Sequence, residues 1–419
     1  MLIDFKVSNY RSFKTSALLD LRRVNKLKEP LLDGTALIKT GRKDLELLRA
    51  AIIYGENGSG KSNLLKAFGF MKYFIRNSHS DSLSGDPIPA VPFKFDENTV
   101  NAPSYFQVSL LLDGSIYRYG FSVTRDSVDE EVLAKDNKVL FHRKQGKLDS
   151  HAEKIFVEGK ERFGFTRDNS LFLSVCARDN GRISSAIANF FSDDNFIVLT
   201  GVCDRCYRRG DFRFLGNSDK KDKALRFMEE LGLNISDISY TAKTPSFVER
   251  DDELRKRTTR DRTYETIQTH YQVGGDAYQL DLNAESEGTQ KLLTLAGIVI
   301  DALDEGKVLV VDEFDARVHP TLVSYLMQLF CSHYNKKGAQ LIVAVHDTHL
   351  LKQDFIRRDQ FWFAERCPDS MGSQLKSLAE FKVRKDISYE KDYLGGRYGA
   401  IPEVPAISRR ENEAIYQED

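Results

Sequence analysis

The chain has 419 residues, of which 41% are hydrophobic and 29% are charged, and its 61 basic side chains balance 62 acidic ones. A chain of this size can bury a core and form two or three domains. The balanced net charge gives no indication of a nucleic-acid partner, although basic residues can still cluster on one face. No apolar run reaches the length of a membrane span, and the first residues lack a signal-peptide pattern.

The chain contains five cysteines, an odd and sparse set that is typical of a reducing compartment. Cys203 and Cys206 form a lone C-x-x-C without a second cysteine or histidine pair at zinc-finger spacing. This spacing favours free thiols over a metal site. We therefore expect a soluble, cytoplasmic protein with no membrane contact.

Two short strands are predicted at the start of the chain, over residues 2–7 and 16–21, and Asn9-Tyr10-Arg11-Ser12-Phe13 lies between them. By itself this polar segment fits an ordinary turn.

Residues 55–62 read GENGSGKS and fit the phosphate-loop pattern G-x-x-x-x-G-K-[ST]. The apolar run 47–54 predicts a buried parallel strand before the loop, and residues 63–68 begin a predicted helix that runs to about residue 77. Glycines in the loop allow its N–H groups to turn inward around phosphate oxygens. Lys61 can reach the β- and γ-phosphates, and the Ser62 hydroxyl can ligate Mg²⁺. A glycine-rich turn that precedes a lysine by chance is the weaker alternative. The sequence therefore predicts nucleoside triphosphate binding.

The middle of the chain gives mixed signals. Residues 105–112 and 116–123 predict a hairpin around Asp113-Gly114. Further on, residues 139–142 resemble a strand, and residues 184–191 and 223–231 resemble helices. The charged run 251–262 is typical of a solvated helix face or a mobile loop rather than a binding patch. Heptads are absent, so we expect no long coiled coil.

A second motif follows far along the chain. Residues 306–313 form an apolar run that ends in Asp312 and Glu313, the Walker B pattern of a central parallel strand. Asp312 would hold Mg²⁺ directly or through water, and Glu313 could accept a proton from the attacking water. The long separation between Lys61 and Asp312 predicts a domain inserted between two halves of one ATPase fold.

Two flanking segments complete the pattern. Ser286 and Gly288 precede an apolar helix predicted over residues 292–303, where they could grip a phosphate or simply form an N-cap. After Walker B, residues 341–345 predict a buried strand that ends at His346.

Taken with the opening hairpin, these motifs resemble the ABC-type ATPases of the SMC, RecF and OLD group. The resemblance implies an α/β P-loop head of two lobes with an inserted α+β domain. It also implies that Arg11 contacts phosphate with support from Ser12, and that the segment 284–291 is a divergent signature motif that caps ATP bound to a second subunit. Residues 314–320 resemble the D-loop, and His346 resembles the switch histidine that reaches the γ-phosphate. The glutamine loop of this group has no clear counterpart, since Gln107 alternates as a strand residue.

The segments S-E-G-T, D-E-F-D-x-x-x-H-P and A-V-H-D-T-H-L-L, with Pro92–Asp96 and a tail over residues 393–402, are similar to AAA-family ATPases of bacterial abortive-infection loci, of the RloA and AbiL type. This similarity implies an anti-phage sensor ATPase that works beside a separately encoded nuclease or toxin, with DNA or a phage protein as a possible trigger. The alternatives are a RecF-like or SMC-like clamp on duplex DNA, and a scaffold that holds a toxin and hydrolyses ATP only incidentally.

The expected division is an N-terminal ATPase half over residues 1–126, an inserted domain over 127–270 and a C-terminal ATPase half over 271–419. We expect ATP and Mg²⁺ as cofactors, slow regulatory hydrolysis and a head-to-head homodimer or larger homo-oligomer. The expected catalytic residues are Lys61, Glu313 and His346, and the expected metal ligands are Ser62 and Asp312. The expected nucleotide-binding residues are Arg11, Gly55, Asn57, Gly58, Ser59, Gly60, Lys61, Ser62, Asn63, Ser286 and Gly288.

Overall fold

The structure is a computed structural model that describes residues 1–27, 29, 32, 34–81, 83–149, 152–200, 212–243, 246–251, 256–261, 264–383 and 388–401. Cys203, Cys206 and the last residue of the predicted tail segment, Pro402, lie outside the described residues. The strands are β1 Leu2–Ser8, β2 Ala17–Asp20, β3 Leu37–Lys39, β4 Glu46–Leu48, β5 Ala50–Tyr54, β6 Ser104–Leu112, β7 Ser115–Val123, β8 Val128–Lys135, β9 Lys138–Lys144, β10 Lys147–Leu148, β11 Phe196–Leu199, β12 Asp237–Lys243, β13 Ser246–Asp251, β14 Lys256–Asp261, β15 Tyr264–Val273, β16 Asp276–Asp281, β17 Val308–Val311, β18 Gln340–Ala344, β19 Phe361–Arg366 and β20 Ser373–Ser377. The helices are α1 Lys61–Asn77, α2 Glu97–Val100, α3 Ala152–Ile155, α4 Phe172–Arg178, α5 Arg182–Phe190, α6 Ser218–Glu230, α7 Glu287–Glu305, α8 Pro320–Phe330 and α9 Tyr389–Leu394.

The first sheet is antiparallel and has seven strands in the order β10-β9-β8-β7-β6-β1-β2. Asp113 and Gly114 both have positive φ, as the tight turn predicted between β6 and β7 requires. Strands β8 to β10 extend the same sheet, so the division expected after residue 126 falls between two hydrogen-bonded neighbours, β7 and β8.

The second sheet has six strands in the order β11-β17-β18-β5-β19-β20. Its first five strands pair in parallel, and β20 closes the edge as an antiparallel strand. Every residue of β5, β17 and β18 is buried. Burial on both faces explains why these strands are continuous apolar runs without alternation.

Helix α1 lies between the two sheets. Its Phe68 stacks on Phe5 of β1 with ring centroids 3.8 Å apart, and the same core includes Ile53 of β5. Fully burying one such large side chain stabilises the fold by roughly 1.5–3 kcal/mol. Helices α6, α7 and α8 cover the opposite face of the second sheet. This arrangement places the phosphate-loop helix at the centre of the molecule.

The segment before α7 forms a smaller three-stranded sheet in the order β12-β15-β16, and β13 pairs with β14 as a separate ribbon. The expectation that residues 251–262 form a helix face or a mobile loop is wrong for the described part, because Ser246–Asp251 and Lys256–Asp261 pair as antiparallel strands. A run of charged residues with two threonines suits a strand as well as a solvated helix, and cross-strand pairing decides between them.

The predicted α/β class is confirmed: a mostly parallel sheet and an antiparallel sheet enclose the helix that follows the phosphate loop. The longest described helix, α7, has 19 residues. Among the described residues no helix combines the length and the apolar composition needed to cross a membrane.

Candidate nucleotide-binding site

The phosphate loop connects β5 to α1. Gly58 and Gly60 have φ values of +81° and +111°, a backbone conformation that L-residues with a side chain rarely adopt. Gly60 is the N-cap of α1 and supplies no side-chain hydrogen bond to it. The first N–H groups of α1 therefore have no helical partner, and the partial positive charge of the helix end faces the loop.

The loop glycines are also required by close packing against β19 and β20. A Cβ on Gly55 would lie 2.3 Å from the carbonyl oxygen of Ala364, and a Cβ on Gly60 would lie 2.3 Å from Ser373 Oγ. These distances are far below van der Waals contact. No local sequence pattern links residues 364–373 to the loop.

Lys61 is buried, and its Nζ donates to the carbonyl oxygens of Gly55 at 2.6 Å and Glu56 at 3.1 Å. Burial lowers the pKa of Lys61, and the nearby carboxylates, led by Asp312 and Asp315, act in the opposite direction. The structure therefore places the Lys61 ammonium near the carboxylates of Asp312 and Asp315, which follow β17.

Asp312 and Glu313 follow the C-terminal end of β17. Asp312 is 6% exposed, and its Oδ1 accepts a hydrogen bond from the backbone N–H of Glu313 at 3.1 Å. Glu313 has a φ of +49°, in the left-handed region. A non-glycine residue in this region carries strain, which is concentrated at functional sites in proteins.

Lys291 of α7 contacts the loop that follows β17 and contains Glu313. Its Nζ donates to three carbonyl oxygens, those of Glu313 at 3.1 Å, Phe314 at 3.2 Å and Ala316 at 2.5 Å. Burial lowers the pKa of Lys291 to about 8. Lys291 lies in the segment 284–291, and its contacts are not predictable from the sequence because its partners lie more than twenty residues away.

Asp315 connects the loop after β17 to the loop after β18. Its Oδ2 accepts from the backbone N–H groups of His346 at 2.7 Å and Asp347 at 2.6 Å. The His346 side chain is exposed. The backbone of the predicted switch histidine is therefore positioned by the D-loop aspartate, and its ring faces solvent.

Ser286 and Gly288 lie at the start of α7. The Ser286 hydroxyl caps the helix by accepting from Thr289 N at 3.1 Å, and the Ser286 side chain is exposed. Gly288 lies against the carbonyl of Arg317, where a Cβ would approach to 3.1 Å. Within the described ranges no hydrogen bond joins Ser286 or Gly288 to the phosphate loop of the same chain.

Arg11 lies near the loop but is not bonded to it. It has a φ of +50°, and its Nε donates to the hydroxyl of Tyr10 at 3.1 Å. The neighbouring Ser12 contacts the site instead, since its Oγ accepts from Asn63 Nδ2 at 3.0 Å. A Cβ on Gly60 would lie 2.8 Å from the same Oγ.

Ser62 and Asp312 are the two expected metal ligands. The described residues contain no cluster of three or more histidine, cysteine or acidic side chains that could hold a metal by itself. Mg²⁺ is commonly held by one or two protein oxygens together with substrate phosphates and water, so a hydroxyl and a carboxylate fit this ion.

Comparison with known proteins assigns the family. Residues 50–352, well over half of the chain, match the family described as "AAA domain, putative AbiEii toxin, Type IV TA system". This range begins at β5 and includes the phosphate loop, the start of α7 and the residues after β17 and β18. No curated protein matches the chain in sequence.

Solved structures of SMC heads are similar to the chain at low identity. The SMC head domain from Thermotoga maritima is 13% identical with a TM-score of 0.43, over 91% of this chain and 99% of that chain. The Smc head domain with an extended coiled coil bound to the C-terminal domain of ScpA, derived from Pyrococcus furiosus, is 11% identical with a TM-score of 0.40, over 95% of this chain and 98% of that chain.

Proposed function

From the premise that this chain belongs to the AAA-domain family with the putative AbiEii toxin description, we propose that it binds and hydrolyses ATP as a molecular switch. One observation carries the proposal. Gly55, His346 and Asp312 follow the C-terminal ends of β5, β18 and β17, which are consecutive parallel strands of one sheet. Ligands of open parallel sheets bind at this edge.

In the proposed mechanism the loop N–H groups and Lys61 hold the phosphates, and Ser62 and Asp312 hold Mg²⁺, which neutralises charge that develops on the transferred phosphoryl group. Glu313 orients the attacking water and accepts its proton. Lys291 and Asp315 keep the loops of Glu313 and His346 in place through the backbone contacts described above. The His346 ring is free to approach the γ-phosphate from the solvent side.

We further propose that two copies close around shared ATP. The exposed Ser286 and the start of α7 in one copy would face the triphosphate of the other, because a helix N-terminus favours an anion. Hydrolysis would remove the γ-phosphate from this contact and release the two heads. The switch would thereby convert nucleotide state into assembly state.

The biological role we propose is defence against phage, with a separately encoded nuclease or toxin controlled by the ATP-dependent dimer. The family description, which names a toxin and a toxin–antitoxin system, supports this class of role. The cytoplasm would be its compartment.

The variant Glu313→Gln tests the switch. Removing the general base should lower ATP turnover at least about 100-fold while ATP binding is retained. In size-exclusion chromatography with ATP and Mg²⁺, this variant should elute as a stable dimer, and the wild-type chain should return to monomer as ATP is consumed. A Glu313→Gln chain that binds ATP yet stays monomeric would contradict the shared-ATP dimer.

The defence role needs a separate experiment. Cells that carry the chain with its neighbouring genes should resist phage, and Lys61→Ala in the same genes should abolish the resistance. Stimulation of the purified chain's turnover by duplex DNA alone, without phage resistance, would favour a DNA clamp instead.

A further inference from the structure

The strand pair β19–β20 forms one wall of the phosphate loop. Strand β19 pairs in parallel with β5, with Phe363 opposite Tyr54. The residues that follow on β19 therefore continue beside the loop that follows β5. This register explains why the Ala364 carbonyl lies against Gly55 and why Ser373 lies against Gly60.

The wall carries a buried polar atom without a partner. Ser373 is 2% exposed, and its Oγ makes no hydrogen bond among the described residues. The Oγ of Ser59 in the loop itself is also buried without a partner. Buried hydroxyls nearly always have hydrogen-bond partners in native proteins, so two orphans in contact with one loop indicate a polar ligand there.

The same wall places a cation at the tip of the loop. A Cβ on Gly58 would lie only 3.9 Å from Arg366 Nη1, and Gly58 itself is exposed. Arg366 is half-buried and uses its Nε for a 3.4 Å hydrogen bond to the carbonyl of Met371. In the described part of the chain its two terminal nitrogens make no hydrogen bond, which leaves them available on the side of Gly58.

An aromatic ring holds this guanidinium in place. The Arg366 guanidinium carbon lies 5.8 Å from the centroid of the Phe95 ring, and Phe95 is 66% exposed. Such a cation–π contact fixes the plane of the guanidinium at low entropic cost. The ring comes from the Pro92–Asp96 segment, in which Phe93 is buried and Asp96 caps α2.

We propose that Arg366 is a nucleotide-binding residue that contacts the polyphosphate of ATP at the tip of the phosphate loop. The inference rests on the proposed ATP-binding function. A triphosphate carries several negative charges, and Lys61 is one cation at the loop. Arg366 supplies a second cation beside Gly58. Guanidinium groups bind phosphate oxygens with two parallel hydrogen bonds.

The test is equilibrium binding of a fluorescent ATP analogue to the purified full chain, with ATP, ADP and adenosine as competitors. For Arg366→Gln we expect the Kd for ATP and ADP to rise about tenfold, which corresponds to about 1.4 kcal/mol. Adenosine affinity should not change, because adenosine has no phosphate. Arg366→Lys should recover part of the loss, since an ammonium keeps the charge without the fork.

Lys376→Gln is the matched control. Lys376 lies on the same strand pair, and its ammonium pairs with Glu365 at 2.9 Å instead of facing the loop. This variant should bind ATP as the wild type does. Without nucleotide, Arg366→Gln and the wild type should have equal melting temperatures. A lower ATP affinity of the variant would then not be caused by unfolding.

Two results would overturn the inference. One is an Arg366→Gln chain whose ATP affinity stays within about twofold of the wild type. The other is a loss of affinity that is equal for ATP and adenosine. Different results would contradict the proposed function: a Lys61→Ala chain that binds ATP as the wild type does, or a wild-type chain that does not bind ATP at all.

Discussion

Helices α1 and α7 each carry a lysine near their start, but they differ at their first turn. Gly60 at the start of α1 makes no side-chain cap, whereas Ser286 at the start of α7 accepts from its own Thr289 N–H. An uncapped helix start keeps its N–H groups available for an anion. A capped start has already satisfied one of them, and it presents mainly an exposed hydroxyl.

The lysines near the starts of the two helices also differ in the carbonyl oxygens that they contact. Lys61 donates to carbonyls of its own loop, at Gly55 and Glu56. Lys291 donates across the fold to the loop that contains Glu313. A lysine near the start of α1 therefore contacts the phosphate loop, and a lysine near the start of α7 contacts the loop that follows β17.

The largest expected effect comes from removing the lysine of α1. Lys61→Ala should raise the Kd for ATP at least about 100-fold, because a buried cation with charge-assisted hydrogen bonds to the phosphates is lost. Isothermal titration calorimetry with ATP measures this change. Lys66→Ala, on the same helix one turn further along, is the control and should bind ATP normally. Equal affinities for the two variants would contradict a phosphate-binding role of Lys61 at the start of α1.

The next effect separates the two roles of Ser286. Aspartate can still cap α7, so Ser286→Asp should keep the stability of the chain, but its negative charge should prevent ATP-dependent dimerisation. Ser286→Ala should have the opposite effects. It should lower the stability of the chain by about 1 kcal/mol because the helix cap is lost, and it should not prevent dimerisation by repulsion because alanine adds no charge. Urea unfolding measures the stability, and analytical ultracentrifugation in the Glu313→Gln background measures the dimer. An aspartate variant that dimerises with ATP would exclude a role of Ser286 in trans.

The smallest expected effect concerns the pH dependence caused by Lys291. Its pKa is about 8 in the folded chain and 10.5 in the unfolded reference. Between these values the unfolded chain binds more protons, so the free energy of unfolding contributed by this group rises with pH over that window. Below about pH 8 both states are protonated and the full cost of burying the charge is present.

Lys291→Met removes the titrating group and should flatten that part of the stability profile, as measured by urea unfolding from about pH 8 to about pH 10. It should also lower ATP turnover more than ATP affinity, because it loosens the loop of Glu313 and leaves the phosphate loop intact. An unchanged slope of stability against pH would show that Lys291 is not the group responsible.

Much of the site is readable from sequence because its signals are local. The phosphate loop needs glycines at set positions between a strand and a helix, and α1 follows the loop as this pattern predicts. Of the strand predicted over residues 47–54, β5 forms from residue 50 onward, whereas residues 47 and 48 belong to β4, which pairs with β3. The apolar run before Asp312 and the run before His346 likewise form the buried strands β17 and β18. The prediction for residues 251–262 was wrong because a charged composition fits both helix and strand, and a local window of sequence does not show which strands will pair.

The sequence by itself determined the α/β class, the parallel strands and the residues around the phosphate loop, since hydrophobic period and glycine placement act over a few neighbouring positions. Only the tertiary structure decided that Lys291 holds the loop of Glu313, that Asp315 holds His346, and that Arg366 and Ser373 line the phosphate loop. The physical reason is distance along the chain. These contacts join elements whose meeting depends on sheet order and on the register of β19 against β5, and no local pattern encodes that register.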